Sequence, residues 1–233
     1  SGEKFALISS GCLTDEALYT LRKFSLSMKS ENLFAEDVDL SPGVPGDIGP
    51  YQCIVVLGDI SESCPALDLA IRSRKNASVI SISPMGSLLS SGASVWLRPR
   101  PGHEPEVLDL LARALSELHD ADSGSLISGR GDLASAAALL SGKRTLVIAG
   151  PDASDQAVVS AQRLAEAFGF EFGTVRKRCN SQGAIDLGFR KLDGLGCDLK
   201  AAYVVGYNPL RVNTDLGQKL SGLDFLVVQD LFL

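Results

Sequence analysis

Residues 144–168 read RTLVIAGPDASDQAVVSAQRLAEAF, and this stretch decides the fold. Its first part, Leu146-Val147-Ile148-Ala149, is apolar without alternation. A run of that kind belongs to a strand buried on both faces, the situation of a parallel sheet. Gly150 ends it. Ser154 then offers a hydroxyl to cap a helix, and Asp155 places a carboxylate in the first turn, where the helix dipole favours it. Val158, Ala161, Leu164, Ala165 and Phe168 follow at helical spacing on one side. A buried strand, a glycine turn and an amphipathic helix are the opening parts of a strand–helix–strand unit.

The same pattern is written elsewhere in the chain. Residues 4–24, KFALISSGCLTDEALYTLRKF, hold the strand Phe5-Ala6-Leu7-Ile8 and a helix capped by Thr14. In that helix Ala17, Leu18, Leu21, Phe24 and Met28 share a face. Residues 52–71, QCIVVLGDISESCPALDLAI, match residues 201–220, AAYVVGYNPLRVNTDLGQKL. Residues 77–83, ASVISIS, match residues 224–230, DFLVVQD. At all three places the offset lies between 140 and 149 residues, which points to an internal duplication. A further short strand is expected at residues 94–97, and a helix at 104–118 with Val107, Leu111, Ala114 and Leu118 on one face. The reading is therefore an α/β protein with two Rossmann-like, mostly parallel sheet subdomains. The halves are residues 1–118 and 132–233, joined by the polar, glycine-containing segment 119–131 as linker or crossover. Chains in such folds cross over, so sequence halves need not be spatial halves.

Composition narrows the class. The net charge of -6, with no stand-out Lys/Arg run, argues against nucleic acid as partner. No apolar run approaches the ~20 residues of a membrane span, and no secretory signal opens the chain, so a cytoplasmic protein without direct membrane insertion is expected. The five cysteines, Cys12, Cys53, Cys64, Cys179 and Cys197, are widely spaced and include no C-x2-C pair. Neither a zinc nor a cluster site is suggested, and His103 and His119 lie far from them in sequence. The thiols are expected to be reduced and mostly buried. Cys12, after the first strand and near a helix start, is the one candidate reactive thiol, though no histidine accompanies it. The leading Ser1-Gly2 reads as a tag scar, and the stop at Leu233 just after an apolar run reads as the edge of an excised piece.

Ligands of parallel sheets sit at the carboxyl ends of strands. The turns of interest are therefore Ser9-Ser10-Gly11-Cys12, Gly58-Asp59-Ile60-Ser61, Gly150-Pro151-Asp152-Ala153 and Gly206-Tyr207-Asn208-Pro209. None is a G-x-G-x-x-G fingerprint or a Walker loop. Residues 180–188, NSQGAIDLG, place Asn180 and Gly183 in a stretch without a strong helical face. Such a loop either presents hydrogen-bond donors to a cofactor or ties the halves together. No nucleophile–base pair is visible, so no catalytic residue and no metal ligand is assigned.

Six segments occur in order along nearly the whole chain: SSGCLTDEALYTLRKF, IVVLGDISESCPALDLAIR, WLRPRPGHEPEVLDLLARAL, NSQGAIDLG, YVVGYNPL and FLVVQDLFL. This ordered set resembles the molybdopterin oxidoreductases. NSQGAIDLG with FLVVQDLFL is most similar to the large iron–sulfur subunit of respiratory NADH:quinone oxidoreductase (complex I); formate dehydrogenase alpha chains share much of it. The resemblance implies the middle α/β region of a larger subunit, whose cluster-binding domains precede it and whose partners are the other subunits of a respiratory or dehydrogenase complex. It also implies Gly58, Asp59, Asn180, Gly183, Gly206 and Asn208 as cofactor-binding or vestigial positions. Two departures matter. In molybdenum members the segment matching residues 32–52 is long and carries the metal-binding residue; here it is short and lacks cysteine, leaving only Asp37, Asp39 or Ser41 as substitutes. Where those members often carry Asp-Pro-Arg, this chain has Ser83-Pro84-Met85. The expectation is a non-catalytic scaffold without molybdopterin, with iron–sulfur clusters confined to the parent subunit. The alternative is the guanine-dinucleotide-binding part of a formate dehydrogenase-type enzyme. A nucleotide-binding domain of thiamine-enzyme or transhydrogenase type would share the alternation but not the ordered motifs.

Overall fold

The computed structural model describes residues 4–36, 38, 41–119, 131–196, 198–208 and 214–231. Most of the expected linker, together with Ser1-Gly2, Asp37, Asp39, Cys197 and Leu233, lies outside them. The first part of the chain forms β1 (Phe5–Ser9), α1 (Asp15–Ser27), β2 (Leu33–Ala35), β3 (Cys53–Leu57), α2 (Pro65–Arg72), β4 (Ser78–Ile82), α3 (Leu88–Gly92), β5 (Val95–Leu97) and α4 (Glu104–His119). The second forms α5 (Gly131–Leu140), β6 (Thr145–Ala149), α6 (Asp155–Phe168), β7 (Glu171–Thr174), α7 (Ser181–Asp186), β8 (Arg190–Lys191), β9 (Ala201–Val205), α8 (Thr214–Ser221) and β10 (Phe225–Gln229).

Two compact units result: Ser1–Leu40 with Arg176–Leu233, and Ser41–Val175. The spatial division thus departs from the sequence halves 1–118 and 132–233. The first unit's sheet runs β10-β9-β1-β2-β8 and the second's β5-β4-β3-β6-β7, and every strand pairing in them is parallel. Both are α/β sheets flanked by helices, the Rossmann-like class. Strand pairing, rather than sequence proximity, assigns each segment to its unit: β1 pairs along its whole length with β9, and β3 with β6. Equating β1 with β6 and β9 with β3 makes β10-β9-β1-β2 and β4-β3-β6-β7 the same neighbour order. That is an agreement of connectivity, which common descent and the handedness of strand–helix–strand units both produce.

In the second unit, Cys53, Val55 and Leu57 of β3 point into one core with Leu108, Leu111, Ala137 and Leu164, while Ile54 and Val56 point into another with Ile71, Val79, Leu89 and Ile148. In the first unit, Ala6 and Ile8 meet Val204, Leu216 and Leu220, and Leu7 meets Leu18, Leu21 and Phe189. The central strands of each sheet are therefore covered on both faces, which is why they read as unbroken apolar runs, whereas the edge strand β10 is apolar yet exposed along its whole length.

Helix starts match their capping chemistry. Thr14 Oγ1 accepts from Ala17 N–H (3.3 Å) and Ser154 Oγ from Ala157 N–H (3.2 Å), and Pro65 opens α2. Helical faces are shifted by a residue or so. In α1 the buried residues are Leu18, Leu21 and Ser25, and Phe24 stays half-exposed, edge-on to Phe5 and Tyr203. In α4 the buried stripe is Leu108, Leu111 and Leu115, while Leu118 is exposed. No helix among the described residues is long and apolar enough to cross a membrane.

Candidate functional site

The strand-end turns are built differently in the two units. In the second, Gly58 follows β3 with φ of 82°, a left-handed conformation that glycine adopts without strain; Gly206 holds the matching place after β9 with φ of 60°. Asp59 Oδ1 accepts from Ser61 N–H (2.9 Å), so the carboxylate closes its own turn. Gly150 follows β6, and its N–H donates to the Leu57 carbonyl (2.8 Å). A Cβ on Gly150 would stand 2.9 Å from that same oxygen, so the two strand ends meet only because glycine is there.

The Ser83-Pro84-Met85 turn after β4 is closed by Ser83 Oγ, which donates to the Met85 carbonyl (2.8 Å). An arginine reaches it from β5: Arg98 Nε donates to the Pro84 carbonyl (3.2 Å) with its guanidinium over the Trp96 ring, and Trp96 Nε1 donates to the Ser83 carbonyl (2.9 Å). Sequence reasoning missed Arg98 because the pairing of β5 with β4, not sequence spacing, brings it to the turn. The segment over residues 42–48 is tied down. Thr174 N–H donates to the Pro42 carbonyl (2.8 Å), Gly43 bridges to Thr174, and Val44 and Ile48 pack on the core.

In the first unit, residues 181–186 form the helix α7 rather than the expected non-helical loop. Its packing against the β1–α1 turn explains it. Asn180 N–H donates to the Gly11 carbonyl (2.9 Å), and Asn180 Nδ2 donates to the Leu13 carbonyl (2.8 Å) and to Asp15 Oδ1 (3.0 Å). The amide donors of Asn180 are thus engaged with the protein itself. A Cβ on Gly183 would collide with Asn180 Oδ1 and Asp15 Oδ1, and one on Gly11 would stand 2.9 Å from Ser181 Oγ. Glycine at 183 therefore makes room for the clamp. Arg178 Nη2 pairs with Glu36 Oε1 at 3.2 Å beside it. Asn208 lies exposed two residues beyond Gly206.

Of the six sequence-predicted positions, Asn180, Gly183, Gly206 and Asn208 belong to the first unit and Gly58 and Asp59 to the second. Three hydroxyls add a signal that no motif carried. The side-chain oxygens of Ser9, Ser61 and Ser81 are buried without a hydrogen-bond partner. Ser9 is the last residue of β1, Ser81 the penultimate residue of β4, and Ser61 lies in the turn after β3. A buried unpaired hydroxyl costs about 1–3 kcal/mol, so these are places where a ligand oxygen or a water would bond.

Tested against a pterin dinucleotide, these hydroxyls are hard oxygen groups and supply no soft ligand for its metal. Among the described residues no three of His, Cys, Asp and Glu come together to hold a metal ion. Burial pushes the Cys53 thiol up to about 11, and it lies inside the β3 core. His103 enters α4 with Nδ1 3.0 Å from Glu106 Oε1, an exposed helix-start pair. No family model and no curated protein matches the chain.

Proposed function

We propose that this chain is a non-catalytic α/β scaffold region of an oxidoreductase large subunit, of the type that resembles the iron–sulfur subunit of NADH:quinone oxidoreductase. In this reading it packs against other subunits on the cytoplasmic side of a membrane-associated electron-transfer complex. The ordered segments from SSGCLTDEALYTLRKF to FLVVQDLFL support it. The observation that carries the scaffold part is the clamp: Asn180 donates its side-chain amide to Leu13 and Asp15, and Asp59 bonds the Ser61 N–H. Groups that a dinucleotide would need are holding turns together.

A second reading, the guanine-dinucleotide-binding part of a formate dehydrogenase-type enzyme, draws on the unpaired hydroxyls of Ser61 and Ser81 near Gly58. Calorimetric titration with guanosine diphosphate separates the two. The scaffold reading expects no saturable heat at millimolar nucleotide. Saturable binding that Gly58→Val abolishes would overturn it in favour of the second. Elemental analysis of the natural full-length subunit gives an independent check: iron without molybdenum or tungsten is expected, and stoichiometric molybdenum or tungsten would sink the scaffold reading.

A further inference from the structure

We propose that Cys12 and Cys179 form a reversible redox pair, two exposed thiols on adjoining turns that oxidise to an intramolecular disulfide. Of the other described cysteines, Cys53 is buried and Cys64 half-buried, whereas Cys12 and Cys179 are both exposed. They are far apart in sequence, yet their turns are bonded to one another. Asn180 N–H donates to the Gly11 carbonyl at 2.9 Å, and Cys179 Sγ lies 4.0 Å from the same oxygen. Gly11 directly precedes Cys12. Trans-peptide geometry on either side of such a hydrogen bond keeps the Cα atoms of Cys12 and Cys179 within about 7 Å. Disulfides span Cα separations of roughly 4.4–6.8 Å.

The two turns are held by contacts that do not involve the thiols. Asn180 Nδ2 reaches the Leu13 carbonyl at 2.8 Å, and Gly11 packs on Ser181 and Arg178 with no space for a Cβ. The Cys12 N–H is bonded to Ser10 Oγ at 3.2 Å, which fixes the backbone at that end. Closing the bridge then requires side-chain rotation with the backbone already in place. Both thiols are exposed and open to a small reagent.

The oxidant is a low-molecular-weight disulfide of the glutathione class. One protein thiolate attacks a sulfur of that disulfide, forming a mixed disulfide and releasing one small thiolate. The second protein thiolate attacks the protein-bound sulfur of the mixed disulfide and releases the other. Two protein thiols are oxidised, one small disulfide is reduced to two thiols, and the two protons pass to the released thiolates. The product staples the β1–α1 turn to the start of α7. The inference rests on unit-one geometry alone and is independent of the scaffold reading.

The test exposes the unmodified chain to oxidised glutathione, followed by non-reducing peptide mapping and intact mass. The expected product is a monomer lighter by two hydrogens, with one cross-link joining Cys12 to Cys179, reversed by dithiothreitol. Cys12→Ser and Cys179→Ser should each stop at a persistent glutathione adduct on the remaining partner. Persistent adducts on both cysteines of the unmodified chain, a bridge to Cys64 or Cys197 instead, or disulfide-linked dimers would each overturn the proposal. Because the unmodified chain carries the deciding measurement, poor folding of a serine variant leaves the outcome readable.

Discussion

Replacing Gly183 by alanine tests the clamp between α7 and the β1–α1 turn. A Cβ at this position would collide with both Asn180 Oδ1 and Asp15 Oδ1, so one of them must move. Asn180 Nδ2 would then lose its bonds to the Leu13 carbonyl (2.8 Å) and to Asp15 (3.0 Å). Two bonds at about 1 kcal/mol each, with residual crowding, give a cost of about 2–4 kcal/mol. Alanine returns about 1 kcal/mol through its helix propensity over glycine. The net expectation is a destabilisation of about 1–3 kcal/mol, read as a lower urea midpoint with unchanged slope. In a thermal scan each kcal/mol corresponds to about 2–4 °C for a chain of this size. The decisive comparison repeats the substitution in a background carrying Asn180→Ala and Asp15→Ala. With both obstructing side chains gone, Gly183→Ala should become neutral or stabilising by up to about 1 kcal/mol. An equal cost in both backgrounds, or a stabilisation of the unmodified chain, would refute the clamp.

Three other perturbations have expected outcomes. Gly150→Ala sets a Cβ 2.9 Å from the Leu57 carbonyl and must spread two central strand ends, so a loss of about 2–4 kcal/mol is expected in urea unfolding, and a loss under about 0.5 kcal/mol would mean the ends are slack. Thr14→Ala removes the oxygen that accepts from Ala17 N–H and should cost about 1 kcal/mol, recovered by Thr14→Ser. The Cys53 thiol, raised by burial from 9.0 to about 11, keeps its proton in the folded state after the unfolded chain has lost it. Its contribution is thus fully present below about pH 9 and is lost as pH rises towards about 11, at up to about 1.4 kcal/mol per pH unit. The urea midpoint of Cys53→Ala should fall less steeply between those pH values; parallel slopes would remove Cys53 as the cause.

Local signals in the chain are enough for much of the architecture. Thr14, Ser154 and Pro65 announce three helix starts because capping depends on a side chain and the backbone beside it. The apolar runs of β1, β3, β4, β6 and β9 announce parallel strands because each central strand needs apolar cover on both faces; β10 carries a similar run at a sheet edge, where its residues are exposed. The short strands β2, β7 and β8 are not legible. They hold few residues, and Glu171 and both residues of β8 are exposed, so only pairing with a neighbour defines them. The buried stripes of α1 and α4 are displaced from the sequence reading because several faces of each helix carry apolar residues, and the packing partner chooses among them.

The candidate site divides in the same way. Gly58 and Gly206 are visible as glycines closing apolar runs, and their positive φ is a local property of the turn. The role of Asn180 is undecided in sequence, since an amide among glycines suits a cofactor or a tie equally. Contact with Leu13 and Asp15, more than a hundred residues earlier, settles where its donors go. The adjacency of Cys12 and Cys179 and the reach of Arg98 to the Pro84 carbonyl are of the same kind. By itself, then, the sequence determined an α/β chain of parallel strands with glycine-closed turns, because burial pattern, capping and turn chemistry act over a few residues. Only the tertiary structure decided which strands share a sheet, so that the chain leaves one unit after Leu40 and returns to it at Arg176. Strand pairing joins backbones whose separation along the chain leaves no periodicity to read.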